Sequence, residues 1–247
     1  MPQVPRPSDS ESRIGCNSPA FLNAKSWTLY GRRQLEHAYV PPVPERISWG
    51  PWKDVGPGAE VLGDITGKRV LDIGSGAGFH AAHLARTYGA HITGIELSPT
   101  QHSRAVANLG AEPGVQSLCS DVVSHLDGAE PPLYDAAYAI GTLAYIDPYQ
   151  SLPALRLGLH PGDPLVFSVL HTDLNGKGPS TTVAPRAQEV RLRQDPPIPV
   201  QMWVLTPQVW QHLLTDTGFV VDDIQLLSAP DADNPVIHQV ICTRRRL

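Results

Sequence analysis

Three acidic residues and three glycines stand in an order that could hold a nucleotide-type ligand. Asp72 lies two residues ahead of Gly74, which opens the run Gly74-Ser75-Gly76-Ala77-Gly78. Glu96 comes eighteen residues beyond Gly78, and Asp121 follows further along the chain. The glycines can turn the chain sharply and, without Cβ atoms, let a ligand approach the backbone. A carboxylate at Asp72 would repel a pyrophosphate but suit a ligand bearing an ammonium group. Glu96 could accept hydrogen bonds from both hydroxyls of a ribose. For proton transfer the candidates are His171 and His80, since an imidazole can orient or deprotonate a substrate hydroxyl or amine near neutral pH.

These groups need a scaffold that brings them to one edge, and the chain supplies alternating strand and helix patterns. Residues 70–73 make a short apolar run after the turn Thr66-Gly67-Lys68, as in the central strand of a sheet covered on both faces. A helix follows from Phe79 to Tyr88 and is closed by Gly89, its first-turn amides exposed toward a ligand. The second strand, residues 91–96, ends at Glu96. Ser98, Pro99 and Gln101 then read as a capping box, with Ala105, Val106 and Leu109 as the apolar stripe. A third strand over residues 115–118 closes at Cys119-Ser120-Asp121-Val122. The fourth, residues 134–140, runs into a loop that contains Tyr145. Asp147 and Pro148 could cap the next helix, which Pro153 would delay or kink. The fifth strand, residues 165–170, delivers His171 to the carboxyl edge, where ligands bind in open α/β sheets.

The flanking segments differ in character. Residues 1–15 hold Pro, Ser and charges with little to bury and are expected to be a disordered tail. Residues 16–60 carry three of the five tryptophans, Trp27, Trp49 and Trp52. They read as an N-terminal helical and aromatic cap, with a helix capped at Ser18 and an extended stretch at residues 39–44. Residues 61–170 form the ligand-binding core. Residues 171–205 lose regular periodicity and are expected to form a lid over the crevice with a short element of its own. Residues 206–247 give a last helix from Thr206 to Gly218 and two strands, so that residues 16–247 make a single domain.

With 247 residues, 41% of them hydrophobic, the chain can bury one sizeable core. It contains no apolar run near the roughly 18 residues of a membrane span and no signal-type core at its start, which predicts a cytoplasmic protein. The formal net charge of −5 argues against nucleic acid as the main partner. Three scattered cysteines suggest neither a disulfide framework nor a zinc site, and no separate acidic cluster suggests a metal.

The order hydrophobic-Leu71-Asp72-x-Gly74-x-Gly76-x-Gly78, then Glu96, then Asp121, then Tyr134-Asp135-Ala-Ala, resembles the class I S-adenosylmethionine (AdoMet)-dependent methyltransferases. The resemblance runs from about Gly67 to the C-terminus. It implies an α/β fold with a seven-stranded, mostly parallel, doubly wound sheet and an antiparallel last strand. It also implies that Asp72 meets the methionine amine, Glu96 the ribose and Asp121 the adenine of AdoMet. Gly74, Gly76 and Gly78 would form the cradle, with Leu97, Gln101, Val122, Ile140 and the cap residues Trp27 and Tyr30 around the cofactor. Many relatives carry a histidine-type residue where this chain has Tyr145, so Tyr145 joins His171 and His80 as a catalytic candidate. The implied reaction is methyl transfer to an O, N or C nucleophile of a small molecule, releasing S-adenosylhomocysteine, in specialised metabolism, by a monomer or homodimer. An NAD(P)-dependent oxidoreductase would share the cradle and Glu96 but not Asp72, the glycine spacing or the closing strand pair. An AdoMet-fold protein with a role other than transfer would share them all.

Overall fold

The computed structural model describes residues 18–37, 40–110, 112–127, 133–191 and 195–247. The expected tail over residues 1–15 and Tyr39 of the extended stretch lie outside them. Seven strands form one sheet in the order β3-β2-β1-β4-β5-β9-β8. They are β1 (Arg69–Ile73), β2 (His91–Glu96), β3 (Val115–Cys119), β4 (Ala136–Ile140), β5 (Pro164–Thr172), β8 (Phe219–Ser228) and β9 (Ile237–Arg245). Strands β3 to β5 pair in parallel, while β9 lies antiparallel to both β5 and β8. Parallel strands need crossover helices, which cover both faces and explain why β1 is buried from Val70 to Ile73.

Alternation along the strands sends side chains into two cores. Leu71, Ile73, Ala137 and Phe167 pack under α4 (Val122–Asp127), α5 (Pro148–Gly158) and α6 (Pro207–Thr217). Val70, Ala136, Tyr138 and Val166 pack on the opposite face under α2 (Phe79–Tyr88), the short 3-10 turn Ala59–Leu62 and Trp49. Trp49 is fully buried, and its indole N–H donates to the Gly58 carbonyl at 3.1 Å. Part of the aromatic N-terminal segment is thus a packed layer of the second core. Helix α3 (Pro99–Leu109) packs on β2 and β3, with Leu109 filling the space in which Gly78 has no side chain.

Several local expectations shift. The segment after Asp121 is the helix α4, too short at six residues for its periodicity to register in the sequence. Pro153 does not delay α5, which starts at Pro148 after Asp147 accepts from the Tyr149 N–H at 2.9 Å. The capping box at Ser98 is half formed: its Oγ accepts from the Gln101 N–H at 3.3 Å, but the Ser98 N–H donates to Glu96. Strand β5 continues to Thr172, which leaves His171 inside the strand, at an irregularity in its pairing with β9. The region expected to be a lid is an antiparallel hairpin, β6 (Arg186–Val190) with β7 (Ile198–Met202).

Helix α1 (Pro19–Glu36) bridges α3 and this hairpin. Gly31 lies against α3 so closely that a Cβ there would sit 2.9 Å from the Gln101 backbone nitrogen, and Thr100 Oγ1 donates to the Thr28 carbonyl at 2.7 Å. On its other side α1 meets the edge of β7 through side chains that imitate a strand. Asn23 Nδ2 donates to the carbonyls of Gln201 (2.9 Å) and Tyr145 (3.1 Å), while its Oδ1 accepts from the Gln201 N–H at 2.8 Å. Ser26 Oγ adds a bond to the Pro199 carbonyl at 2.6 Å. No helix among the described residues is long and apolar enough to cross a membrane.

The second core also buries ionisable groups. Asp72 projects there beside Tyr138, its partner in the β1–β4 register. Burial pushes the Asp72 carboxyl up to about 7; the Tyr138 hydroxyl opposes that rise without completing a hydrogen bond of ordinary geometry. Burial pushes His80 and His238 down to about 4, and the Nδ1 of each lacks a partner among the described residues.

Asn23→Ala leaves part-buried backbone groups of β7 unpaired, at about 1 kcal/mol or more; hydrogen exchange should quicken in α1 and β7 while β1 and β4 stay protected. For pH, the native state holds the Asp72 proton more tightly than the unfolded chain, so this group lowers stability as pH rises from about 4 to 7. The two histidines act oppositely, adding stability as pH rises from about 4 to 6.5. Asp72→Asn removes only the first effect. Its melting temperature should therefore climb more steeply with pH over this window than that of the wild type, and parallel curves would contradict the burial of an ionisable Asp72.

Candidate active site

The carboxyl edge of the sheet is organised by Glu96 at the end of β2. One carboxylate oxygen accepts from the Gly76 N–H at 2.9 Å and the other from the Ser98 N–H at 2.8 Å. The glycine turn is tied to β2 as well, because the N–H groups of Gly74 and Ser75 both donate to the Ile95 carbonyl, at 2.8 and 3.1 Å. Burial raises the Glu96 pKa, and the Ser98 and Gly76 amides work against that rise.

Beside this latch opens a cavity of about 400 Å³, within the range of small-molecule sites. It is lined by Gly74, Gly76, Glu96, Leu97, Gln101, Asp121, Val122 and Ile140. These are cofactor residues expected from the sequence, and the structure brings them together. Asp121 also caps α4, accepting from the Ser124 N–H at 2.8 Å. Asn23, Tyr145, Asp147 and Trp203 line the same cavity, as does Trp27, expected from the sequence around the cofactor. Trp27 meets Tyr145 edge to face, with ring centroids 5.3 Å apart and planes at 75°.

Other expected residues lie elsewhere. Asp72 does not line the cavity, since its strand neighbour Ile73 faces that side and Asp72 faces the second core. Gly78 serves packing: its φ of +79° and the Leu109 methyl, 2.5 Å from where a Cβ would sit, both demand glycine. Gly74 is close-packed in the same way against Thr142. Gly76, with φ +56°, has nothing nearer than Gln101 Nε2 at 3.8 Å, so it alone of the three offers open backbone to a ligand. Tyr30 stands behind Trp27, ring to ring at 5.7 Å, with the Arg104 guanidinium 5.8 Å from its centroid, and does not line the cavity.

The histidine candidates are also outside. His171 does not line the cavity; its Nδ1 lies 2.9 Å from Thr172 Oγ1, and burial lowers its pKa. His80 is half-buried in the first turn of α2 and does not line the cavity. Of the three catalytic candidates only Tyr145 lines it. Asp135, His160 and Asp163 come within 4.8 Å of one another at the opposite edge of the sheet, a grouping that the sequence did not suggest, and Arg69 reaches Asp135 at 3.5 Å.

Sequence reasoning missed Asn23, Thr142, Asp147 and Trp203 as lining residues. For Asn23 a signal existed, because it lies one helical turn before Trp27 and so on the same face. Trp203 had none, since its place depends on how the hairpin docks.

The lining fits AdoMet. Open backbone at Gly76, carboxylates at the ends of β2 and β3 that can accept from hydroxyls and an amine, and apolar walls from Ile73, Ile95, Val122 and Ile140 suit its ribose and adenine. A family model for methyltransferase domains matches residues 70–162. The chain is 31% identical over 165 residues to the O-methyltransferase rstn1 of Aspergillus nomiae, covering 66% of this chain and 68% of that protein. It is 30% identical over 162 residues to the O-methyltransferase resE of Aspergillus sclerotiorum, covering 65% and 58%. The chain spans about half to two thirds of the length of the curated relatives it matches. Among solved structures, the 4+2 cyclase SpnF superposes with a TM-score of 0.65 at 17% identity, over 93% of this chain and 97% of that one. The motif order, the sheet with its antiparallel β9 and these relatives agree, and the chain belongs to the class I AdoMet-dependent methyltransferases.

Proposed function

We propose that the protein transfers a methyl group from AdoMet to an oxygen nucleophile of a small organic acceptor, releasing S-adenosylhomocysteine. The observation that carries this reading is one cavity lined by two kinds of group. Carboxylates and open backbone come from the strand ends, and the aromatic rings of Trp27, Tyr145 and Trp203 line the same cavity. Bound AdoMet would supply an electrophilic methyl on a sulfonium whose charge vanishes as the methyl moves. Glu96 and Asp121 would hold the adenosyl part. The aromatic rings would exclude water and align the acceptor, and in such a reaction alignment can account for much of the acceleration. A dedicated base is not required, which suits a cavity that no histidine lines among the described residues. The O-methyltransferase names of the relatives support oxygen as the acceptor atom. We further read residues 16–247 as one domain acting in the cytoplasm, as a monomer or homodimer, on a metabolite of specialised metabolism.

Calorimetric titration with AdoMet, S-adenosylhomocysteine and NADH tests the reading. Micromolar binding of the first two and none of NADH is expected, and NADH binding alone would replace it with the oxidoreductase. Glu96→Ala should weaken AdoMet binding by about 1–3 kcal/mol, through lost hydrogen bonds to the ligand and a loosened glycine turn. Binding without transfer to any small phenol or other hydroxyl acceptor would point to a use of the fold other than transfer.

A further inference from the structure

Around the contact of Trp27 with Tyr145 the cavity lining offers hydrogen-bond donors, with Asp147 as a nearby carboxylate in the chain. The Asn23 amide is fully engaged, its N–H groups on the Tyr145 and Gln201 carbonyls and its oxygen on the Gln201 N–H. Thr142 Oγ1 faces the Gly74 carbonyl at 3.5 Å. Asp147 holds the start of α5 through the Tyr149 N–H. The Tyr145 hydroxyl, by contrast, makes no hydrogen bond among the described residues, although its residue lines the cavity. The indole N–H groups of Trp27 and Trp203 make none either. Neither Lys, Arg nor His lines the cavity among the described residues, and its other carboxylates, Glu96 and Asp121, stand at the end of β2 and after β3.

We propose that the acceptor is a flat hydroxyl compound acidic enough to ionise without a protein base, a phenol or an enol, and that the Tyr145 hydroxyl donates the hydrogen bond that holds its nucleophilic oxygen. This rests on the methyl-transfer reading and names its substrate class. Flatness follows from the edge-to-face corner of Trp27 and Tyr145, with Trp203 as a further aromatic wall, which suits a planar ring better than a branched aliphatic one. Burial raises the Tyr145 pKa, so this phenol stays protonated near neutral pH; it can donate a hydrogen bond and cannot take the acceptor's proton. A donor on the bound oxygen stabilises its anion and lowers its pKa. In the step itself the acceptor O–H bond breaks and its proton passes to bulk water. The oxygen lone pair forms the new bond to the methyl carbon, the carbon–sulfur bond breaks, and its electron pair stays on sulfur. The products are a neutral methyl ether and S-adenosylhomocysteine.

The test uses the full chain loaded with S-adenosylhomocysteine and two chromogenic phenols, para-nitrophenol and umbelliferone, whose ionisation is read optically across pH. The complex should take up at least one of them as the anion and lower its apparent pKa. Tyr145→Phe keeps the ring against Trp27 but removes the donor. It should return the probe's pKa toward the solution value and weaken anion binding roughly ten- to a hundredfold, with S-adenosylhomocysteine affinity unchanged. Uptake of neither phenol, an unshifted pKa, or equal preference for the non-ionising para-nitroaniline would overturn the inference while leaving the methyl-transfer reading intact. So would loss of the shift in Asp147→Asn with its retention in Tyr145→Phe, which would assign the proton to Asp147. Failure of S-adenosylhomocysteine itself to bind would strike the methyl-transfer reading instead.

Discussion

One buried carboxylate determines the shape of the binding edge. Parallel strands end in turns whose amides have no neighbouring strand to satisfy them, and two of those turns meet at Glu96. By accepting from Gly76 and from Ser98, it holds the glycine turn after β1 and the start of α3 in fixed relation. Burial would favour a neutral Glu96, and the two amides favour the charged one. The same group therefore fixes the frame and keeps lone pairs facing a cavity in which a ribose could find acceptors. Removing it would disturb geometry and recognition together.

Around that fixed edge the cavity wall is assembled differently. Helix α1 is joined to β7 by Asn23 and Ser26, side chains that complete the hydrogen bonding of a strand edge where no strand is present. The cover is thus a helix and a hairpin joined through a few polar contacts, and it reaches the core through Gly31 against α3 and through the aromatic contact of Trp27 with Tyr145. Covering a sheet edge in this way also protects the short hairpin from open pairing.

Much of this arrangement was legible in the sequence, for local reasons. Residues 69–73, 79–88 and 91–96 combine apolar periodicity with glycine and proline punctuation, so their elements and the Glu96 position could be read directly. What escaped depended on direction or on distant contacts. Asp72 has the right spacing for the cavity, yet strand alternation turns it to the other face, and its neighbours decide which face is which. His171 was placed beyond its strand because pairing with β9 prolongs β5, an effect of partners more than sixty residues away. Gly74 and Gly78 were legible as glycines but not for their cause, which is the packing of Thr142 and Leu109. Trp203 enters through docking of the hairpin, which periodicity cannot express.

The lining of the cavity has two origins along the chain. The strand ends, Tyr145 and Asp147 fall within the family's shared stretch, residues 70–162, whereas Asn23, Trp27 and Trp203 come from segments before and after it. Because α1 meets the core through a small-residue contact and a few backbone-directed bonds, the outer wall can drift or be exchanged in evolution while the sheet edge stays under its own constraints. A chimera that carries another homologue's first helix and hairpin on this sheet would, by that logic, keep this chain's strand ends and Tyr145 while taking the aromatic wall around them from the other parent.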